Sequence, residues 1–311
     1  MRCLVTGAAG FVGSHLVEAA LDQGWDVVAV DSLNAYYEPV QKQSNAAAYG
    51  GRLPLRVVDL LQANLSPLLE GVDVVFHQAG QPGVRSSWDE FDSYVDANVR
   101  LTHRLLRAAR SAEIKRFVFA SSSSVYGDRT RYPTTEQDLP APKSPYGVTK
   151  LAAEHLCGVY ARNWGMQTVS LRYFTVFGPR QRPDMAMHRL IEAALTGLPF
   201  PLYGAGDQIR DFTYVADVVA ANVKAATAAI EPGTVLNIAG GGSTTLAEVI
   251  STVEELTGSR IELERYPDQP GDVFRTGGSA DLARAILEWA PKVSVAEGLA
   301  AQVEWHRSRR S

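Results

Sequence analysis

Short runs of consecutive apolar residues alternate with helix-length segments over the first 172 residues of the chain. Strands that are apolar on both faces are typical of a parallel sheet covered by helices on each side. The pattern therefore predicts an α/β protein built on a doubly wound parallel sheet. The predicted strands are RCLVT (2–6), DVVAV (26–30), LRVVDL (55–60), DVVFH (73–77), RFVFA (116–120) and QTVSLR (167–172), and the clearest helices are Phe11–Gln23, Asp92–Arg110 and Tyr146–Asn163.

The alternation breaks after residue 172. Loops rich in Pro, Gly and Arg follow, and the tail from Thr245 to Arg310 has a mixed pattern of helix and short strand. We therefore expect two domains that are interleaved in sequence. A nucleotide-binding domain is predicted over residues 1–173 and about 212–237, and a smaller α/β substrate-binding domain over 174–211 and 238–311.

Charge and cysteine content argue against several classes of protein. The 311 residues carry a net charge of −4, which disfavours nucleic acid or an anionic membrane surface as a partner. Two cysteines without metal-like spacing predict neither a disulfide framework nor a metal site. No apolar run reaches the roughly 20 residues of a membrane span, and the N-terminus enters a strand pattern without room for a signal peptide. We expect a cytoplasmic protein.

The stretch TGAAGFVG (6–13) joins the first predicted strand to the first predicted helix. Gly7 permits a tight turn, Gly10 lets the backbone approach a pyrophosphate, and Gly13 lets helix and strand pack closely. The helix N-terminus adds free N–H groups and a positive dipole end. Asp31 ends the second predicted strand, where a carboxylate can bind a ribose diol. The loop predicts a Rossmann dinucleotide site, and Asp31 favours NAD over NADP because a carboxylate repels a 2′-phosphate.

Further cofactor contacts are predicted at the ends of other strands. Asp59 and Leu60 are placed to meet the adenine, and the stretch from Gln78 to Gln81 ends the fourth strand. The alternative, that either stretch is an ordinary strand-end loop, stays open. The remaining predicted contacts are Phe11, Val12, Asn34, Gln78, Ala79, Gly80 and Tyr173.

A run of four serines, 121–124, follows the fifth predicted strand, and Tyr146 and Lys150 lie four residues apart downstream. On a helix these two share one face. A lysine ammonium beside a phenol stabilises the phenolate and lowers the phenol pKa from about 10. A Tyr-x-x-x-Lys pair alone is most often a surface pair. A serine at the carboxyl end of a parallel strand changes this, because it can bind a substrate oxygen while Tyr146 moves a proton.

The glycine loop, Asp31, the strand-end serine three residues before VYG and SPYGVTK together resemble the extended short-chain dehydrogenases/reductases that act on nucleotide sugars. The resemblance implies tightly held NAD and reversible hydride transfer at a sugar carbon. It implies Tyr146 as acid/base, Lys150 as its tuner and cofactor ribose ligand, Ser122 as the second hydroxyl, and Asn98 near the active site. It also implies a homodimer formed through the helices around 98–110 and 146–163.

Residues 122–124 bear on the reaction. Family members that eliminate water carry Thr-Asp-Glu there, and UDP-glucuronate decarboxylases carry Glu in the last position. This chain has only Ser122, Ser123 and Ser124. The absence of an acidic group favours epimerisation over dehydration.

The stretches FTVFGPRQRPDMA, DSLNAYYEP and GQPGVRSSW resemble UDP-glucuronate 4-epimerases. We expect reversible 4-epimerisation of UDP-glucuronate, with UDP-glucose 4-epimerase, UDP-glucuronate decarboxylase and a silent NAD-binding regulator as alternatives. Arg182, with Thr175, Ser123 and Ser124, is the hypothetical carboxylate site, although Arg182 on a solvated loop or at the diphosphate stays open. Arg85 is a further predicted substrate contact, and Arg210 and Arg275 are assigned to the UDP phosphates. The family usually has an arginine where Gln269 stands, and Arg275 is the hypothetical replacement. Phe200 and Tyr203 are predicted around the uracil, unless these two pack in the core.

Overall fold

The computed structural model describes residues 1–240, 242–267 and 273–310, so Gln269 lies outside the described residues. The strands are β1 Arg2–Thr6, β2 Asp26–Asp31, β3 Arg56–Val57, β4 Val74–His77, β5 Arg116–Ser122, β6 Thr168–Tyr173, β7 Val176–Phe177, β8 Phe200–Tyr203, β9 Ile209–Arg210, β10 Thr213–Tyr214, β11 Thr234–Ile238, β12 Thr244–Thr245 and β13 Leu263–Tyr266. The α-helices are α1 Phe11–Asp22, α2 Pro39–Gly50, α3 Ser66–Leu69, α4 Phe91–Tyr94, α5 Leu101–Ser111, α6 Pro145–Trp164, α7 Ala186–Thr196, α8 Val215–Thr227, α9 Leu246–Thr257, α10 Asp281–Leu287 and α11 Val295–Ser308. A π-helical segment, Val95–Arg100, joins α4 to α5. Over the described ranges, no helix combines the length and the apolar character that crossing a bilayer requires.

Seven parallel strands form the central sheet, in the order β3-β2-β1-β4-β5-β6-β11. The strand order reverses between β1 and β4, which opens a crevice at the carboxyl ends of these strands. The predicted Rossmann fold is confirmed. Strand β11 was not predicted, because TVLNI is short, contains a polar Asn237 and follows the point where the alternation breaks. Helix α8 carries the chain back to the sheet, where β11 pairs with β6.

Apolar side chains fill both faces of the sheet and a separate cluster beyond it. One face packs against α1, α8 and α10, with Leu16, Val218 and Leu287 buried, and the other packs against α5 and α6, with Leu105 buried. A separate core gathers residues of α7, β8, α9 and α11. The two-domain boundaries given above stay a prediction.

A buried imidazole at the end of β4 links the first strand to the helix that carries Asn98. The Thr102 hydroxyl donates to the Asn98 carbonyl at 2.6 Å, so it accepts from His77 Nε2–H at 3.0 Å. His77 Nδ1 is then the acceptor for the Thr6 hydroxyl at 2.9 Å, and Thr6 Oγ1 accepts from the Ala79 amide. The network therefore fixes a neutral His77 with its proton on Nε2.

This neutral imidazole predicts acid lability. Burial, with a smaller contribution from the Lys150 charge, lowers the pKa of His77 to about 3. The unfolded chain takes up that proton near pH 6.5, so the stability is present above this pH and is lost as pH falls towards 3. Between pH 4 and 5.5, each unit of acidification should lower the free energy of unfolding of the native protein by about 1.4 kcal/mol more than that of His77→Gln, which cannot titrate at this position. Urea titrations measure both slopes, and equal slopes would contradict the buried neutral state.

Candidate active site

A cleft of about 870 Å³ lies at the carboxyl edge of the sheet, where the strand order reverses. Most predicted site residues line it, although they come from distant parts of the chain. They are Gly7, Gly10, Phe11, Val12, Gly13, Asp31, Asn34, Asp59, Leu60, Gln78, Ala79, Gly80, Ser122, Ser123, Ser124, Tyr146, Lys150, Tyr173, Thr175 and Arg182. Within the described part of the chain, the predicted residues outside this lining are Arg85, Asn98, Phe200, Tyr203, Arg210 and Arg275.

The glycine loop is packed too closely for side chains. Gly7 has a φ of +68°, and a Cβ added at Gly13 would stand 1.9 Å from the Gly7 carbonyl oxygen. A Cβ at Gly10 would meet the same oxygen at 3.0 Å. The first turn of α1 therefore presents its amides to the cleft over bare backbone, which fits the pyrophosphate of a dinucleotide.

Gly13→Ala is expected to reduce both NAD content and stability. The new methyl group meets backbone, so the loop must shift, at a cost of about 1–3 kcal/mol in the free energy of unfolding. NAD released from denatured protein and urea unfolding measure the two effects. Gly50→Ala is the matched control, because a Cβ there meets nothing within 4 Å. Unchanged NAD content and stability in the Gly13 variant would contradict this account of the loop.

Asp31 is held at the end of β2 by the loop that it faces. Its carboxylate accepts the Leu33 amide at 2.8 Å and the Ala9 amide at 3.1 Å, and it is 9% exposed. The Lys42 ammonium, which also lines the cleft, binds the carbonyl and side-chain oxygens of Asn34. A carboxylate that can accept from ribose hydroxyls, with an ammonium donor nearby, fits an adenosine ribose at this end of the cleft.

Two neighbouring residues of the serine run, Ser121 and Ser122, bind different partners. Ser121 and Ser122 are the last residues of β5, where successive side chains point to opposite faces. All four serines line part of the cleft, but the Ser121 hydroxyl donates to the Glu154 carboxylate of α6 at 2.7 Å. Ser122 Oγ accepts from the Ser124 amide at 3.1 Å, and it also hydrogen-bonds the Tyr146 phenol.

Helix α6 begins against the serine run. Ser144 caps it by accepting the Gly147 amide at 3.1 Å, and Pro145 occupies the first turn. A Cβ on Gly147 would lie 2.6 Å from the Ser124 carbonyl oxygen, so glycine is needed for this contact. The close approach places Tyr146 beside Ser122.

The buried phenol does not have the lowered pKa that the sequence predicts. Burial raises the pKa of Tyr146, and the Ser122 hydrogen bond and the charge of Arg182 oppose this rise. Lys150 instead donates to the Ala120 carbonyl at 2.9 Å, and burial lowers its own pKa to about 8. In this arrangement Lys150 is directed to β5 rather than to the phenol, and its role in tuning Tyr146 stays a prediction.

Three predicted cofactor residues are held from behind the cleft. Asn98 lies in the π-helical segment, donates to the Gln81 carbonyl at 3.0 Å and accepts the Gln81 amide at 2.9 Å. The Tyr173 hydroxyl lies 3.0 Å from Gln78 Oε1 and 3.0 Å from the Asn222 side chain. Asn98 thus supports the cleft wall, and the polar ends of Gln78 and Tyr173 are tied to each other and to α8.

Arg182 lies in the same cleft as Tyr146, on the loop between β7 and α7, with its side chain 18% exposed. Its Nε and Nη2 donate to the two carboxylate oxygens of Asp184, at 3.0 and 2.9 Å. Asp184 carries no signal in the sequence, because only the fold brings this loop residue into the cleft. The fork leaves Nη1 of Arg182 for another partner.

The remaining predicted substrate residues form a neighbouring group. The Arg85 guanidinium stacks 4.1 Å from the Tyr203 ring centroid. Arg210 and Arg275 lie on adjacent backbones, since Ile209 bridges to Arg275. Phe200 is 4% exposed and packs in the core of α7, α9 and α11, so its prediction as a uracil contact is wrong. The two aromatics stand three residues apart in β8, and alternation places them on opposite faces.

The cleft also contains polar residues that were not among the predicted contacts. Tyr36, Tyr37 and Lys42 line it, from the segment between β2 and the first turn of α2. The motif DSLNAYYEP contains the two tyrosines and was used only for resemblance, although paired aromatics beside a predicted cofactor strand are a usable signal.

Known proteins with similar sequences and structures span nearly the whole chain. The uncharacterised UDP-glucose epimerase YtcB of Bacillus subtilis (strain 168) is 41% identical, over 98% of this chain and 98% of that protein. The probable UDP-glucuronate 4-epimerase of Rhizobium meliloti (strain 1021) is 34% identical, over 98% and 97%. The crystal structure of UDP-glucuronic acid 4-epimerase from Bacillus cereus, in complex with UDP-glucuronic acid and NAD, is 39% identical with a TM-score of 0.95, over 99% and 100%.

The model of the NAD dependent epimerase/dehydratase family matches residues 3–239, which include the glycine loop, the serine run and the Tyr-x-x-x-Lys pair. This match and the full-length relatives confirm three predictions from the sequence: the family, NAD as the cofactor, and a nucleotide-sugar epimerase as the class of enzyme. The chain belongs to the NAD dependent epimerase/dehydratase family.

Proposed function

We propose that the enzyme interconverts UDP-glucuronate and UDP-galacturonate by inverting sugar carbon 4. The observation that carries this proposal is Arg182, a cation that shares the cleft with Tyr146 and acts on its pKa. A guanidinium next to the reacting centre suits a sugar that carries a carboxylate. The similar B. cereus protein, crystallised with UDP-glucuronic acid and NAD, supports the same substrate.

Proton transfer is assigned to Tyr146 at the start of α6, with Ser122 at the end of β5 beside it. Tyr146 as the phenolate removes the proton of the 4-hydroxyl and later returns it, and Ser122 holds the oxygen as it becomes a carbonyl. Bound NAD supplies the acceptor and donor of the hydride. Lys150 lies near this cofactor edge, because a Cβ on Gly80 would come within 3.2 Å of its Nζ. The 4-keto sugar must turn over about its bond to the diphosphate between the two transfers.

A 4-keto uronate is a β-keto acid and is prone to lose carbon dioxide. Loss requires the carboxylate bond to align with the carbonyl π system, so an epimerase must hold the carboxylate out of that alignment. We assign this role to Arg182 with Thr175, Ser123 and Ser124, which line the cleft together. Charged or acidic groups are absent from residues 122–124, so the serine run supplies only neutral hydroxyls.

UDP-glucose 4-epimerisation is the second candidate. The specific observation in its favour is the fork between Arg182 and Asp184, which neutralises the guanidinium. The similar B. subtilis protein is called a UDP-glucose epimerase. A neutral sugar would leave that ion pair in place, whereas a uronate would share Arg182 with Asp184.

Incubation of the purified enzyme with UDP-glucuronate, without added NAD, tests the proposal. We expect UDP-galacturonate to form, because the NAD that the family holds tightly is returned to its starting state in each cycle. Chromatography of the sugar nucleotides separates the epimer from a UDP-pentose, the product of decarboxylation. Turnover of UDP-glucose alone would replace the proposal by its second candidate, and a UDP-pentose with carbon dioxide would replace it by a decarboxylase.

The homodimer implied by the family resemblance is a further proposal. Helix α6 exposes Val148, Val159 and Trp164, of which Trp164 is 49% exposed. Exposed apolar residues on one helix support an interface there. Light scattering behind size exclusion measures the mass, and a mass of one chain at micromolar concentration would contradict the dimer.

A further inference from the structure

A cluster of two histidines and a glutamate lies between α7 and α11, outside the cleft. The side chains are His188, Glu192 and His306. One potential ligand atom from each lies within 4.8 Å of the others, and the two imidazole centroids are 4.5 Å apart. The residues are far apart in sequence, so helix packing creates the cluster.

The hydrogen bond of His188 determines its tautomer. His188 Nδ1 lies 2.8 Å from the Gln181 carbonyl oxygen, which can only accept. The proton of the neutral ring is therefore on Nδ1, and Nε2 carries a lone pair. A backbone carbonyl on the far nitrogen is the usual support for a histidine that ligates a metal.

His306 is held in the same way by a carboxylate. Its Nδ1 lies 2.6 Å from Glu192 Oε1, and burial lowers the pKa of His306 to about 4, so the neutral ring donates from Nδ1. Its Nε2 is buried and has no hydrogen-bond partner among the described residues. The His306 side chain is only 2% exposed, so the lone pair on its Nε2 is buried without a hydrogen-bond donor among the described residues.

The charges around the cluster come from both helices and the preceding loop. Glu192 also binds Arg310, Arg309 stacks over the Trp305 ring, and Asp184 acts on His188 from the loop. Two arginines thus face two carboxylates. Arg310 is 38% exposed, so it can turn towards solvent when a cation binds.

We propose that His188 and His306 bind a divalent transition-metal ion through their Nε2 atoms, with Glu192 as the carboxylate that orients His306. Two imidazole nitrogens suit Zn²⁺, Ni²⁺ or Cu²⁺ rather than Mg²⁺ or Ca²⁺. Zn²⁺ takes ligands about 3.4 Å apart at bond lengths near 2.1 Å, and one ligand atom from each residue of the cluster already lies within 4.8 Å of the others, so the side chains would close in on a bound ion. Water completes the coordination. The ion would brace α7, which follows the loop carrying Arg182, against α11.

Zinc binding to the untagged, NAD-loaded enzyme tests this site. After treatment with EDTA, the protein is titrated with Zn²⁺ in competition with a chromogenic chelator. We expect one tight equivalent in the native protein, at least a tenfold weaker affinity in His188→Ala, and a 10- to 100-fold weaker affinity in Glu192→Gln. His155→Ala is the matched control, because His155 is an exposed histidine on α6.

A second measurement, the visible absorption of bound Co²⁺, reports the coordination of the ion directly and so distinguishes loss of the site from misfolding of a variant. Tetrahedral Co²⁺ gives visible d–d absorption, which we expect in the native protein and the His155 variant and not in His188→Ala. The half-buried His188 ring is chosen over His306 because its loss leaves the core intact. Equal zinc affinity in the native and His188→Ala proteins, or an equal loss in His155→Ala, would overturn the site.

Discussion

Tyr146→Phe is expected to lower the turnover of UDP-glucuronate by about 10²- to 10⁴-fold and to leave NAD bound. The change removes one hydroxyl that hydrogen-bonds Ser122, and it keeps the ring that contacts Tyr94 at a centroid distance of 6.2 Å. Without the phenol, the cleft has no group at this position that can take the proton of the 4-hydroxyl. Steady-state turnover and the NAD content of the purified variant measure the two effects.

Tyr160→Phe is the matched control for this substitution. Tyr160 lies on the same helix, where its ring packs against Trp164 at 4.8 Å and outside the cleft lining. We expect its turnover to stay within about twofold of the native value. If Tyr146→Phe loses NAD along with activity, the residue has a structural role. If it keeps full turnover, the proposed proton transfer is wrong.

Arg182→Ala is expected to lower kcat/KM for UDP-glucuronate by about 30- to 1,000-fold, equivalent to about 2–4 kcal/mol. The substitution removes a partly buried guanidinium and leaves Asp184 unpaired, so the cleft gains a negative charge where the uronate carboxylate is proposed to bind. UDP-glucose carries no such carboxylate, and its kcat/KM should change by less than about fivefold. Parallel kinetics on the two sugar nucleotides measure this difference.

Arg189→Ala controls for the loss of a nearby arginine. Arg189 is exposed on α7, seven residues after Arg182, and does not line the cleft. Its removal should affect neither sugar. Equal losses for both sugars in Arg182→Ala would place the guanidinium at the diphosphate, and unchanged turnover of UDP-glucuronate would remove Arg182 from the carboxylate site.

The fold was predictable where local pattern and packing agree. Strands β1, β2, β4, β5 and β6 are continuous apolar runs, and burial on both faces of a parallel sheet requires such runs. The glycine loop was predictable because backbone contact at Gly13 excludes every side chain. Family resemblance then supplied the nucleotide-sugar chemistry, which no single spacing indicates.

The sequence did not predict contacts between residues that only the folded chain brings together. Phe200 was assigned to the ligand because an aromatic in a loop-rich stretch gives no indication of its face, and the structure buries it. Burial is the largest cause of the raised pKa of Tyr146, while Lys150 donates to the Ala120 carbonyl. Asp184 pairs with Arg182 in the cleft because the loop before α7 brings both residues there. Each of these depends on orientation rather than on residue type.

The alternation of Ser121 and Ser122 at the end of β5 makes the length of this segment as important as its composition. Deleting one serine would shift the residues after it by one position, and each would then point to the opposite layer of the protein. The hydroxyl that now meets the phenol would be buried against Glu154, and the next one would have to replace it at the substrate. Because the run is made of identical residues, serines would still occupy both positions, and the change of register would fall on the buried Val125 and Tyr126 that follow.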